Sequence, residues 1–263
     1  MPYRVKGFGW VRDLPDHRDL VYSAPVRHLK APPPKIDLSA SRAMPPVYDQ
    51  GELGSCTGNA IAGAVQFVRR KNGKKPDFVP SRLFIYWNER KIEGTVDADA
   101  GAQLRDGMKV VAKLGVCPSA SRPKDSYDWP YDLARFRDAP PKACFTFAQD
   151  NQITSYQRLP QTLSQMKGCL AEGYPFAFGF MVYESFESPE VARTGEAPLP
   201  GARDRPVGGH AVVAVGYDDA TQRFVLRNSW GPRWGRKGYF TMPYAYLAEP
   251  QLAADFWTVR QTE

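Results

Sequence analysis

Gln50-Gly51-Glu52-Leu53-Gly54-Ser55-Cys56 leads directly into a run where Ala60, Ile61, Ala64, Val65, Phe67 and Val68 recur at helical spacing. This periodicity predicts a largely buried helix from Ser55 to Arg70, with Cys56 at its N-terminus. Arg69-Arg70-Lys71 stand at the far end, where the helix dipole favours cations. A cysteine at a helix N-terminus ionises more readily, and the thiolate is the nucleophilic form of the side chain. Taken alone, such a cysteine is usually an inert buried thiol, so its reading depends on whether the chain supplies a base. Of the three histidines, His17 and His28 lie near the N-terminus. His210 follows Gly208-Gly209 at the start of an apolar, strand-like run, a context that can present a side chain at the edge of a cleft. Farther on, Leu226-Arg227-Asn228-Ser229-Trp230-Gly231 follows another strand-like stretch, with Trp234-Gly235 and Gly238-Tyr239 beyond it.

Outward from these segments the chain divides in character. Helices are expected after Pro80, carrying Leu83, Phe84 and Trp87, and over Leu104 to Leu114, which Gly115 terminates. After Asp150 one helix over Leu163 to Glu172 precedes strands over Phe176 to Tyr183, His210 to Tyr217 and Arg223 to Asn228. The class is therefore α+β, with a mainly helical lobe over about 45–140 and a mainly β lobe over about 141–263. Ser185 to Gly209, rich in Pro and Gly, reads as a long surface loop. Residues 1–34 form an N-terminal extension ending in Ala31-Pro32-Pro33-Pro34, a semi-rigid spacer, and 35–263 form the domain proper.

Composition narrows the partners. A chain of 263 residues with 43% hydrophobic content can bury a sizeable core. No run of 18 apolar residues exists, and Met1 to Val11 lack the charged start and apolar stretch of a Sec-type signal. A membrane role is not expected, and the location is either cytoplasmic or reached by another export route. The net charge of +7 is scattered rather than gathered into a stripe, so no nucleic-acid partner is expected. Four cysteines do not make a disulfide scaffold, and Cys117, Cys144 and Cys169 have no histidine or acid in metal-ligand spacing, so they read as structural thiols. No metal or cofactor is implied. Asp97 with Asp99, and Asp218 with Asp219, read as solvated turns, while Trp234, Tyr239 and Phe240 read as core of the β lobe.

Together, Gln50 to Cys56, Gly209-His210-Ala211-Val212 and Asn228-Ser229-Trp230-Gly231 resemble, in order and setting, the motifs of the papain family of cysteine peptidases. The resemblance implies a two-lobe fold, one lobe helical and the other β-barrel-like, with the active-site cleft between them. It implies Cys56 as nucleophile, His210 as its base, Asn228 as the residue orienting the base under the shield of Trp230, and Gln50 as a donor to the oxyanion. Substrate would meet Gly101, Ala102, Gly179, Gly208, Gly209, Ala211 and Trp230, the small residues leaving a roomy pocket with its floor near Ala254 or Asp255. If Asp255 points inward, arginine would be accepted there. Leu53 and Thr57 depart from the family pattern, which removes one common disulfide and leaves Asn59 in need of partners. The expected activity is that of an endopeptidase forming a thioester, since no histidine pair is available for an occluding loop. Acyl transfer of the transglutaminase type and a non-catalytic binding protein are the alternatives. The partners expected for this monomer are a peptide or protein substrate and its own N-terminal segment, with Phe8, Trp10, Leu14, Leu20 and Tyr22 offering the apolar surface of an inhibitory plug.

Overall fold

In the computed structural model, which describes residues 8–120 and 125–263, the chain starts with β1 (Trp10–Val11), α1 (Val26–Lys30) and β2 (Lys35–Asp37). The helical lobe follows as α2 (Cys56–Lys71), α3 (Arg82–Glu93), β3 (Ala102–Gln103), α4 (Leu104–Lys113) and α5 (Lys142–Ala148). The β lobe comprises β4 (Ile153–Arg158), α6 (Leu163–Ala171), β5 (Phe176–Tyr183), α7 (Pro189–Thr194), β6 (Pro206–Asp218), β7 (Arg223–Arg227), β8 (Tyr239–Pro243), α8 (Tyr244–Ala248) and β9 (Ala253–Thr262). Residues 1–7 of the expected plug lie outside the described residues.

The helix α2 is buried almost throughout although it contains Gly58 and Gly63, each worth about 1 kcal/mol against helix formation. Packing overrides that cost because both positions lack room: a Cβ on Gly58 would come within 2.8 Å of the Arg82 carbonyl, and one on Gly63 within 2.6 Å of the Arg227 guanidinium. Two packed faces result. Ile61, Val65 and Val68 share a core with Val213, Val215, Trp257 and Val259 of the sheet, so α2 forms the seam between the lobes. A second, aromatic core holds Phe176, Phe178, Phe180, Trp234 and Phe240 inside the β lobe. Tyr239 is only half-buried.

The sheet has seven antiparallel strands in the order β4-β9-β5-β6-β7-β8, with β2 added along β6. Its terminal strands β4 and β8 do not pair, so the lobe is an open sheet and not a closed barrel. The stretch expected as loop from Ser185 to Gly209 contains α7, capped by the Ser188 hydroxyl accepting from the Val191 N–H, and gives up its end to β6, which begins at Pro206.

The N-terminal extension has two fates. From Leu20 onward it is built into the β lobe: Tyr22 donates its N–H to Arg158 O at 2.8 Å, Arg158 returns one to Leu20 O at 2.8 Å, and the buried Tyr22 hydroxyl donates to Glu172 at 2.9 Å. Tyr217 donates its hydroxyl to Pro33 O at 2.6 Å, and Ile36 pairs with Tyr217 in the sheet. Upstream of a turn where Leu14 and Leu20 are 71% and 70% exposed, residues 8–13 run instead to the N-terminus of α2.

Candidate active site

Three elements converge. Cys56 is the first residue of α2, His210 lies on β6 opposite Phe180 of β5, and Asn228 directly follows β7; all three are buried. His210 Nε2 lies 2.8 Å from Asn228 Oδ1, an oxygen that also accepts from the Ser229 N–H at 2.8 Å. An amide oxygen only accepts, so Nε2 carries the proton and Nδ1 keeps its lone pair. That Nδ1 is buried with no hydrogen-bond partner. Trp230 stacks on the imidazole, ring centroids 4.8 Å apart, and shields the His210–Asn228 bond on that side.

Gln50 is fixed on every side but one. Its Oε1 accepts from the Ser229 hydroxyl at 2.6 Å, its Nε2 donates to Leu53 O at 2.9 Å, and its backbone N–H donates to Ser229 O at 2.8 Å. One Nε2 hydrogen remains outside these bonds. The two departures at the helix start are both accommodated: Thr57 donates to the buried Glu89 carboxyl at 2.8 Å, and Asn59 donates to Ser55 O at 2.9 Å and accepts from Arg82 at 3.1 Å. Asp99, expected as a solvated turn residue, instead uses its exposed position to hold the loop before the nucleophile. Its carboxylate accepts from the Gly54 N–H at 2.9 Å and from the Tyr86 hydroxyl. Asp218 and Asp219 are ion-paired with Lys35 and Lys167 respectively.

Residues 8–13 lie on this site. Gly9 donates its N–H toward the Cys56 sulfur and accepts from the Ala102 N–H at 2.7 Å. The approach is so close that a Cβ on Gly9 would stand 1.6 Å from Gly54 O, and one on Gly101, whose φ is +74°, 2.3 Å from Gly9 O. The Trp10 indole, 8% exposed, lies against Gly179 and Gly209, where added Cβ atoms would meet it at 1.9 and 2.8 Å. Trp10 also packs in one core with Ala211, and Trp10 and Val11 pair with Ala102 and Gln103. Phe8 covers Gly208, with its ring 6.4 Å from that of His210. At the bottom, Trp10 Nε1 donates to Asp255 Oδ2 at 3.1 Å, which also accepts from the Asp13 N–H at 2.8 Å, while Ala254 pairs with Gly179 across the strands. The structure thus gathers Gly101, Ala102, Gly179, Gly208, Gly209 and Ala211 around residues 8–10. Trp230 belongs to the imidazole and its aromatic neighbours Phe186 and Trp234.

Enclosure sets the electrostatics. Burial pushes the Cys56 thiol up to about 12, against the pull of N–H groups from Ala211, Gly9 and Thr57. Burial likewise takes His210 down to about 4, with the Asn228 hydrogen bond opposing it. Both shifts favour the neutral forms, so the covered site is not poised as a thiolate–imidazolium pair. Asp13 is raised to about 6 by burial and by Asp255, which together outweigh the Arg105 N–H, Trp257 and the Arg105 guanidinium. Two residues near the site were not apparent from the sequence: Asp13, beside Asp255, Trp257 and Arg105, and Tyr131, whose hydroxyl donates to Gln50 O at 2.9 Å; a lone aspartate or tyrosine far from the motifs carries no local signal of such a place.

A model of the papain family of cysteine proteases matches residues 32–254. An uncharacterised peptidase C1-like protein of Acanthamoeba polyphaga mimivirus is 39% identical over 97% of this chain and 87% of its own length. Chymopapain of Carica papaya is 28% identical over 86% of this chain and 58% of its own. Among solved structures, xylellain, a cysteine protease from Xylella fastidiosa, matches with TM-score 0.88 and 44% identity over 99% of this chain and 98% of its own. Procathepsin B of Trypanosoma congolense shares the fold, with TM-score 0.72 at 15% identity over 98% and 87% of the two chains.

Proposed function

This chain belongs to the papain family of cysteine proteases and is a thiol protease; from that premise we propose that it is an endopeptidase working through a thioester on Cys56 and held shut by its own residues 8–13. The observation that carries the reading is the buried His210–Asn228 pair, 2.8 Å apart, with the residue after His210, Ala211, pointing its N–H together with that of Gly9 toward the buried Cys56 sulfur.

The chemistry follows from the atoms. His210 Nδ1 takes the proton of Cys56, and the sulfur attacks the carbonyl carbon of the scissile bond. The oxygen that gains charge is met by the Cys56 N–H and the uncommitted Nε2 hydrogen of Gln50, donors of a kind worth about 3 kcal/mol each in the transition state. Collapse expels the amine, which leaves with the proton from Nδ1, and water then cleaves the thioester with His210 again taking the proton. Asn228 keeps the other ring nitrogen protonated throughout, so only Nδ1 cycles.

The same geometry supports autoinhibition. Gly9 offers the nucleophile an N–H and turns its own carbonyl away to Ala102. Trp10 fills a pocket walled by glycine and closed by Asp255, removing about 200 Å² from water, or about 5 kcal/mol. A substrate side chain entering that pocket would be large and carry a hydrogen-bond donor at its tip, as Trp and Arg do. On this reading residues 8–13 are the plug, Leu20 onward is its anchor, and the peptidase domain follows.

An epoxide probe for cysteine peptidases, with mass spectrometry to locate the adduct, tests both parts. Trp10→Ala is expected to label at Cys56 faster than the unaltered chain and to hydrolyse a fluorogenic peptide faster, while Cys56→Ala does neither. Hydrolysis retained by a folded Cys56→Ala protein would sink the nucleophile assignment, and equal labelling rates with and without Trp10 would sink the plug.

A further inference from the structure

Gln50 is tied to the nucleophile helix by a group outside every catalytic motif. The Tyr131 hydroxyl donates to the backbone carbonyl of Gln50 at 2.9 Å and lies 2.5 Å from the hydroxyl of Ser55, the residue before Cys56. A tyrosine has one hydroxyl proton, and Gln50 receives it, so Ser55 must donate to the Tyr131 oxygen. The Ser55 oxygen in turn accepts from Asn59 Nδ2 at 3.0 Å, and Asn59 Oδ1 accepts from Arg82 at 3.1 Å. Arg82 closes the circuit by donating to Asp49 O at 2.8 Å, while its guanidinium lies 3.8 Å over the Tyr131 ring. Donors and acceptors run in one sense from Arg82 through Asn59, Ser55 and Tyr131 to Gln50, an arrangement in which each bond polarises the next. The backbone carbonyls of Asp49 and Gln50 are thereby both gripped from the helical lobe, while Ser229 holds Gln50 from the β lobe.

We propose that Tyr131 is a positioning residue for the oxyanion site, acting through the Gln50 backbone to hold the Gln50 amide at a fixed distance from the Cys56 N–H. The proposal rests on the reading that these two donors receive the oxyanion. Packing alone accounts less well for Tyr131: its two hydrogen bonds go to the residue that bears one donor and to the immediate neighbour of the residue that bears the other. Removing the hydroxyl leaves the ring under Arg82 but frees the loop from the helix, and small misplacements of such donors are costly to the transition state.

Tyr131→Phe in the full chain carrying Trp10→Ala, so that the cleft is open, is the test. The expected result is a fall in kcat of about tenfold with KM little changed, and an equal weakening of binding by a peptide aldehyde, whose hemithioacetal carries the oxyanion. Alkylation of Cys56 by iodoacetamide, which makes no oxyanion, is expected to proceed at an unaltered rate. In a Gln50→Ala background the same substitution is expected to change kcat less than about twofold, because the group it positions is gone. An equal loss with and without Gln50, or slowed alkylation, overturns the proposal. Aldehyde affinity that depends on Tyr131 in a chain that hydrolyses no peptide would support the brace and count against the protease mechanism, so the two readings fail separately.

Discussion

Asp13 ties a single ionisation to the state of the cleft. Its carboxyl faces Asp255 and Trp257 on β9, Arg105 on α4, Arg158 on β4 and, farther off, Glu93 on α3. Burial and Asp255 raise it from 3.8 to about 6. In the closed cleft it therefore keeps a proton that the released segment has already lost, so the contribution of Asp13 to closure is greatest at low pH and falls as pH rises from about 4 through about 6. His210, which enclosure takes down to about 4, opposes it over the same interval. Amide exchange of Gly9 to Val11, corrected for intrinsic rates, is expected to lose more protection over that interval in the unaltered chain than in Asp13→Asn. Parallel profiles for the two proteins would contradict the assignment. At this scale the sequence was legible only where residue types cluster locally. Gln50, Cys56, His210 and Asn228 sit in recognisable short segments, whereas Asp13 meets Asp255 across 242 positions and Tyr131 meets Gln50 across 81.

Between elements, the pairing of β1 with β3 spans two residues on each strand, and its hold depends on glycine. A methyl on Gly9 has no place beside Gly54 O, so Gly9→Ala is expected to lift the segment and speed probe labelling of Cys56. Labelling at the original rate would show that the segment does not guard the sulfur. Such a pairing has no periodicity to read, and β1 and β3 went unrecognised in the sequence. The helices α2, α3, α4 and α6 were legible because apolar spacing and terminal Gly or polar caps agree, as at Ser81, whose hydroxyl accepts from the Phe84 N–H, and at Gly94 in the left-handed conformation. Gly208 and Gly209 misled: they look like loop residues, yet they belong to β6, where their missing side chains make room for Phe8 and Trp10.

Across the whole molecule, the two parts of the extension pack on different elements, residues 9–11 against Gly101 to Gln103 and Tyr22 against Arg158 and Glu172, and truncations should separate them. Deleting residues 1–13 is expected to open the cleft in a folded protein, whereas deleting 1–34 strips out buried Tyr22 and the α1 contact with α6. The longer deletion is expected to lower the urea midpoint, reflecting a loss of about 3 kcal/mol or more. Equal midpoints for the two deletions would mean that the anchor adds nothing to stability. On the proposed reading, the exposed turn between Leu14 and Leu20 joins plug to anchor and would set the molecularity of inhibition. While the turn is intact, a short covalent tether would present the plug to its groove at an effective concentration on the order of millimolar, whatever the concentration of the protein. A cut there makes rebinding bimolecular, so a plug that needs only modest intrinsic affinity while tethered would be lost by dilution alone, and a single backbone break would become a one-way change of state.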